Sequence, residues 1–172
     1  TDVAQPRKKL VGKLFEDATS RKSLRLAWYR IRANGNRSSL PQTRRQIEVF
    51  ERHAEENIGS IQHKLRKGTF EFAPQQGVLK KKSSGGYRGI VMAPVANRIV
   101  ERAILDCLQE QLPFIREINS TETSIGGVPD RSVPYGLALI RKFIAEKKCY
   151  FVRSDLSGFF DNIPRRKVLA AI

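Results

Sequence analysis

CYFVRSDLSGFFDNIP, residues 149–164, is the stretch on which the fold of this chain turns. Cys149 to Ser154 reads as an apolar strand, and it delivers Asp155 at its C-terminal end, where an acid can meet a metal. Two-metal phosphoryl transfer needs carboxylates held rigidly at such a strand end, so that two Mg2+ about 4 Å apart can hold the attacking and the leaving oxygen. Gly158 lets the backbone turn closely past a ligand, and Phe159 and Phe160 then face whatever lies beside the acid. Residue by residue, plain structure is the competing explanation. Asp155 would end a strand, Asp161 would cap a helix beginning near Pro164, and both rings would be core.

The run as a whole is more specific than its parts. DLSGFFDNI, 155–163, resembles the first palm motif of bacterial reverse transcriptases, including group II intron and retron-like enzymes, in which D-I/L-x-x-F/Y-F-D/N-x-I is typical. The resemblance implies that Asp155 is a metal-binding catalytic aspartate and that the backbone carbonyl of Leu156 completes a metal shell. It makes Phe160 the ring that crowds a ribose 2′-hydroxyl and so favours deoxynucleotides. Asp161 keeps a structural role as a helix cap.

Upstream, Thr69 to Lys82 and Tyr87 to Met92 lack helical periodicity and flank the polar turn Ser83-Ser84-Gly85-Gly86, which predicts a β-hairpin. KKKSSGGYR, 80–88, places three lysines and an arginine on its two arms. Such a clip can neutralise the roughly four negative charges of a nucleoside triphosphate. A solvated surface hairpin carries the same residues. The segment resembles the family's fingertip hairpin, P-K-x-x-G-G-x-R-P-I/L, which implies dNTP binding by Arg88 and Lys81, with Lys80 and Lys82 as alternatives. Leu79 stands where a proline is common, and Gly89 replaces the proline usual after the arginine.

Ala96 to Leu112 has helical spacing through Ile99, Ala103, Cys107 and Leu108, bounded by Pro94 and Pro113. Its start resembles the family's P-x-x-D/N-R-I/V helix. Arg98 and Arg102 there are candidates for template phosphates or for an internal acid such as Asp106. SIGGVPDR, 124–131, lies in a polar loop and resembles the F-x-x-G-R loop before the palm helix, making Arg131 a further nucleic-acid candidate. The helix that follows has Ser132 as its N-cap, Pro134 in its first turn, and Leu139, Ile140, Phe143 and Ile144 on its buried side.

Nearer the N-terminus, Leu24, Trp28 and Ile31 predict a helix from Ser20 or Ser23 to Arg32, and ANGNRSSLPQT, 33–43, separates it from the next. From Pro41 to Lys67, Ile47, Phe50, Ala54, Ile58, Ile61 and Leu65 step by three or four, which predicts one long helix stopped by Gly68. Arg21, Lys22, Arg25, Arg30, Arg32, Arg44 and Arg45 can grip phosphates or form a solvated face. As a pattern, residues 7–67 resemble the N-terminal extension of intron-type enzymes.

The 172 residues carry 32 Lys+Arg against 17 Asp+Glu, a net charge of +15, which calls for an anionic partner. Residues 1–86 hold 19 basic and 8 acidic side chains, against 13 and 9 in 87–172, so the front half is the expected footprint. Membrane binding would need a long apolar run or a broad amphipathic apolar face, and the sequence has neither. Cys107 and Cys149 lack metal-ligand spacing, and His53 and His63 lack partner ligands. Reduced core thiols and a cytoplasmic location follow.

The expected architecture is α+β. A basic helical N-terminal extension spans 1–68, fingers with the hairpin span 69–148, and the first palm strand spans 149–172. What the resemblance implies is an RNA-directed DNA polymerase with a two-metal Mg2+ site, binding an RNA template, a DNA or RNA primer and dNTP, with a structured cognate RNA as a further partner. The family's Y-x-D-D motif is absent, so the 172 residues alone are expected not to polymerise. The alternatives are a non-catalytic RNA-binding module on a degenerate form of the fold, and a basic helical DNA-binding or scaffold protein.

Overall fold

The structure, a computed structural model, describes residues 12–171 apart from 82, 84, 149, 157, 158, 160 and 161, with backbone alone at Arg88 and Ala171. It is mostly helical, with one two-stranded antiparallel sheet among the described residues. The chain divides into two compact units, Thr1–Thr121 and Glu122–Ile172.

In the first unit, α1 (12–18) leads into α2 (Arg21–Asn36). Ser20 is the N-cap, its hydroxyl accepting the Ser23 N–H at 3.1 Å and so satisfying one of the donors a helix start leaves open. α3 (Pro41–Glu51) and α4 (Ala54–Arg66) follow, then the strands β1 (Gln76–Lys81) and β2 (Tyr87–Met92), then α5 (Val95–Gln111) and α6 (Pro113–Ser120). One core joins Leu24, Ala27, Trp28 and Ile31 of α2, Ile47 of α3, Ile58 and Ile61 of α4, and Val95, Ile99, Val100 and Ala103 of α5. A smaller cluster packs Leu14 and Ala18 against Cys107 and Leu112.

The predicted single helix Pro41–Lys67 is two helices, broken at Arg52-His53, where His53 leaves helical geometry at φ −132°, ψ 36°. The reason is tertiary. A straight helix would hold Ile47 and Ile61 roughly 21 Å apart along its axis, yet both belong to one core. The break brings each half onto that core, and the Phe50 carbonyl accepts the His53 N–H and the Asn57 side-chain amide, each at 3.3 Å.

α2 also runs further than predicted, through Gly35 to Asn36. Gly35 is a close-approach site. A Cβ built there would fall on Cγ1 of Ile47 and 2.8 Å from its Cδ1, and Ile47 is fully buried. Gly35→Ala should therefore lower stability by up to about 2 kcal/mol, the overpacking cost of about 1–3 kcal/mol being offset only in part by a helix-propensity gain of about 1 kcal/mol. Urea unfolding would show it as a lower midpoint at unchanged slope, and a raised midpoint would contradict this packing.

The second unit holds α7 (Val133–Ala145) and α8 (Arg165–Ala171). Ser132 has the extended backbone of an N-cap but makes no cap hydrogen bond, and of the predicted buried side Leu139 is buried while Ile140 and Ile144 are exposed. Pro164 opens α8 as expected, its carbonyl accepting the Lys167 N–H at 2.8 Å. The predicted strand Cys149–Ser154 is not a strand. Cys149 lies outside the described residues, and 150–154 carry no regular secondary structure and have no ladder partners among those described. A strand is defined by its neighbour, and Tyr150 and Val152 are 97% and 95% exposed.

No helix among the described residues is long and apolar enough to cross a membrane.

Candidate nucleotide and nucleic-acid interface

The hairpin grows from a base that α3 and α5 hold in place. Pro94 stops β2, and three residues later Asn97, 1% exposed, turns its side chain onto the segment before β1. Its Oδ1 accepts the Ala73 N–H at 3.2 Å, and its Nδ2 donates to the Ala73 carbonyl at 2.8 Å. One buried amide thus satisfies both backbone groups of a residue that has no ladder of its own. From α3, Gln42 Nε2 donates to Gln76 Oε1 at 3.0 Å, tying down the first residue of β1.

The strand register then decides which cations share a face. Lys80 pairs with Arg88, and Lys81 pairs with Tyr87. Directly opposed residues of an antiparallel pair lie on the same face, and neighbours along a strand lie on opposite faces. Positions 80 and 88 are therefore together, with 81 and 87 on the other side. Lys82 lies outside the described residues. The predicted strand beginning at Thr69 begins at Gln76 instead, because 69–75 packs onto α4 and α5 through Phe70 and Ala73 rather than onto β2.

Many of the basic side chains read as phosphate grips are engaged within the protein. Arg102 pairs with Asp106 at 2.8 Å, one turn along α5, and Arg30 of α2 pairs with the same carboxylate. Of the two partners open to Arg102, this is the internal acid. Arg32 pairs with Glu51. Arg21 Nη2 reaches Glu55 Oε2 at 2.9 Å, and Arg25 Nε reaches Oε1 at 2.8 Å. Arg98 is half-buried, and burial pushes its guanidinium pKa down, with Glu101 opposing. By contrast, Lys22, Arg45 and Lys64 have no ion-pair partner among the described residues.

The hydrogen bonds from Arg25 and then Arg21 hold the Glu55 carboxyl down to about 2 from 4.5. A carboxylate with a depressed folded-state pKa stabilises the fold fully above its unfolded value and stops doing so as pH falls through its folded value. The stabilisation from Glu55 should be lost between about pH 4.5 and 2. The group is half-exposed, so added salt should shrink the effect. Melting temperatures of Glu55→Gln and the parent across that window test this, since the two curves should converge at its acid end.

In the second unit, Arg131 belongs to its own loop. Its guanidinium donates to the Ser124 carbonyl and lies 5.5 Å from the centre of the Tyr135 ring. Tyr135 donates to the Glu122 carbonyl at 3.3 Å, and Lys142 pairs with the Glu122 carboxylate at 3.1 Å. Asp155 is exposed, and its Oδ1 accepts the Leu156 N–H at 3.0 Å. Phe160, the predicted ribose gate, lies outside the described residues, as do Ser157, Gly158 and Asp161. Phe159 is half-exposed. Among the described residues, no cluster of three or more His, Cys, Asp or Glu side chains gathers to hold a metal. Asp155 Oδ2 and the Leu156 carbonyl accept no hydrogen bond among them, and both are hard oxygen donors of the kind Mg2+ takes. They fit as two of about six ligands.

Asn97, Gln42 and Glu55 shape the site; Asn97 stands at the D/N position of the P-x-x-D/N-R pattern without a role assigned to it, and motif reading passes over the other two. Asn97 has a visible signal, an amide on the apolar stripe that continues through Val100 and Ala103. The other two have none, since nothing local tells a helix-surface residue which element it will meet. In comparisons with known proteins, no family model and no curated protein matches the chain.

Proposed function

We propose that this chain is the nucleotide- and template-binding front part of an RNA-directed DNA polymerase of bacterial type. The observation that supports this most is the hairpin, rooted through Asn97 and Gln42, whose register puts two cationic positions, Lys80 and Arg88, opposite each other. The motif DLSGFFDNI supports it independently. In this reading Lys80 and Arg88 hold the dNTP phosphates and Phe160 screens its sugar. Asp155 and the Leu156 carbonyl would hold Mg2+, which when bound polarises the phosphoryl oxygens and favours an ionised 3′-hydroxyl. The partners are an RNA template, a DNA or RNA primer and dNTP. Arg98 remains a template-phosphate candidate, whereas Arg102 contributes through the α2–α5 packing that its pair with Asp106 supports.

The 172 residues contain no Y-x-D-D, so this chain should bind and not polymerise. The test is a primed RNA template with labelled dNTP and Mg2+. The expected result is dNTP-dependent binding of the template-primer that weakens when Mg2+ is removed or Asp155 becomes Ala, with no incorporation. Incorporation would overturn the assignment of a binding portion, and absence of any nucleic-acid binding would overturn the whole reading. The second reading, a non-catalytic RNA-binding module, draws on the exposed position of Asp155 and on its Oδ1 accepting the N–H of the next residue at 3.0 Å. It predicts RNA binding indifferent to Mg2+ and to Asp155→Ala.

A further inference from the structure

Between α3, α4 and the start of α5 lie two neighbouring hollows of about 380 and 550 Å3 that share Phe50, Asn57, Pro94 and Ala96 in their walls, a cleft in two parts. Each is in the size range of about 300–1,000 Å3 that holds organic ligands. α3 presents Gln42, Arg45, Gln46 and Val49 to it, at the i, i+3, i+4, i+7 spacing of a single helix face. α4 presents Asn57, Ser60 and Lys64 at the same spacing. The far wall is the 69–73 segment that Asn97 clamps. Phe50 is braced from behind by Trp28, with ring centres 4.7 Å apart, so the apolar floor is firm.

The charge around this cleft is sorted by the ion pairs inside the unit. Glu51 is drawn to Arg32 and Glu55 to Arg21 and Arg25, which takes one acid of α3 and one of α4 towards α2, while Glu48 and Glu56 are not among the lining residues. Arg45 and Lys64, one on each helix, line the cleft without ion-pair partners among the described residues. Glu71, on the far wall, is the one acid among the lining residues. An aromatic and aliphatic floor, amide side chains beside it and a cation on each bank are what an unpaired nucleotide strand requires. Its bases stack or pack on the floor, its base edges meet amides, and its phosphates meet cations. A duplex hides its base faces and cannot use such a floor.

We infer that this cleft binds a single-stranded stretch of nucleic acid, with bases against Phe50 and phosphates on Arg45 and Lys64. The inference rests on the nucleic-acid reading above and adds a site for the unpaired strand, separate from the hairpin positions and from Asp155. Both cations are exposed, so their removal should leave the fold intact.

The experiment measures fluorescence anisotropy of labelled oligo(U) and of a blunt RNA duplex with the 172-residue chain, across a salt series. It compares the parent with Arg45→Gln/Lys64→Gln, with Val49→Glu, and with a charge-matched control away from the lining residues, Arg116→Gln/Arg141→Gln. The cleft double variant should lose about tenfold in single-strand affinity and flatten the log–log salt slope by about 1.4, with little change on duplex. Val49→Glu should also weaken single-strand binding, and the charge-matched control should not. If the parent binds oligo(U) and both cleft variants bind it equally well, the cleft assignment falls while the proposed function stands. Equal losses on single strand and duplex overturn it as well, as does tighter binding of a poly-glutamate probe than of RNA. If the parent binds no RNA, both readings fall together.

Discussion

Trp28→Ala should remove about 3–5 kcal/mol of stability, the range for deleting a large aromatic side chain from a packed core. Trp28 is 4% exposed, belongs to the core that joins α2, α3, α4 and α5, and carries the Phe50 ring on its own. Neighbouring core positions on α2 are Leu24, Ala27 and Ile31. They are fixed to the same helix and cannot collapse into the space an indole leaves, so the cavity term adds to the lost transfer energy. A domain of this size has about 5–15 kcal/mol in all, so the substitution should take about a fifth or more of the total. Trp28 is the single tryptophan of the chain, so the measurement has to be far-ultraviolet circular dichroism in urea rather than intrinsic tryptophan fluorescence. Trp28→Phe should recover more than half of the loss. A cost below about 1 kcal/mol for the alanine variant would mean that α2 does not share this core.

The elements that local chemistry decides were legible in the sequence. Leu24, Trp28 and Ile31 mark the buried face of α2, the prolines at 94 and 113 bound α5, and the Ser-Ser-Gly-Gly turn announces the hairpin. What was not legible is set by distant partners. Arg52-His53 contains no helix breaker, and the break there follows from two apolar stripes having to reach one core. Gly35 looks like a loop residue and lies within α2, where the room its missing side chain leaves is taken by Ile47 of α3.

The same division runs through the candidate site. Asp106 could be named as a partner for Arg102, because i, i+4 spacing on a helix is local. The pairing of Arg21 and Arg25 with Glu55 spans some thirty residues and has no local signature. Which lysine accompanies Arg88 depends on strand register, which counting through a turn does not determine. The apolar run 150–152 has the composition of a strand, but pairing is a property of two segments and not of one.

That register makes the hairpin's lysines unequal. Lys80→Ala should weaken dNTP·Mg2+ binding in the presence of primed RNA template by tenfold or more, since a hydrogen bond to a charged phosphate contributes about 1.5–3 kcal/mol. Lys81→Ala should cost less than about threefold, because its face is that of Tyr87 and its charge acts only through screened solvent. Pairing Lys80→Ala with Arg88→Ala should bring the loss to about a hundredfold or more, with less than additive behaviour because both cations would meet one triphosphate. Isothermal titration at two salt concentrations separates the cases. A contact loss at Lys80 persists as salt rises, whereas the long-range loss at Lys81 fades. All three residues are strand positions on a hairpin whose base is held elsewhere, by Asn97 and Gln42, so a change in affinity will not report unfolding. If Lys81→Ala proves the costlier substitution, the phosphates lie on the face of Tyr87, and the pairing of Lys80 with Arg88 across the ladder has no part in holding the nucleotide.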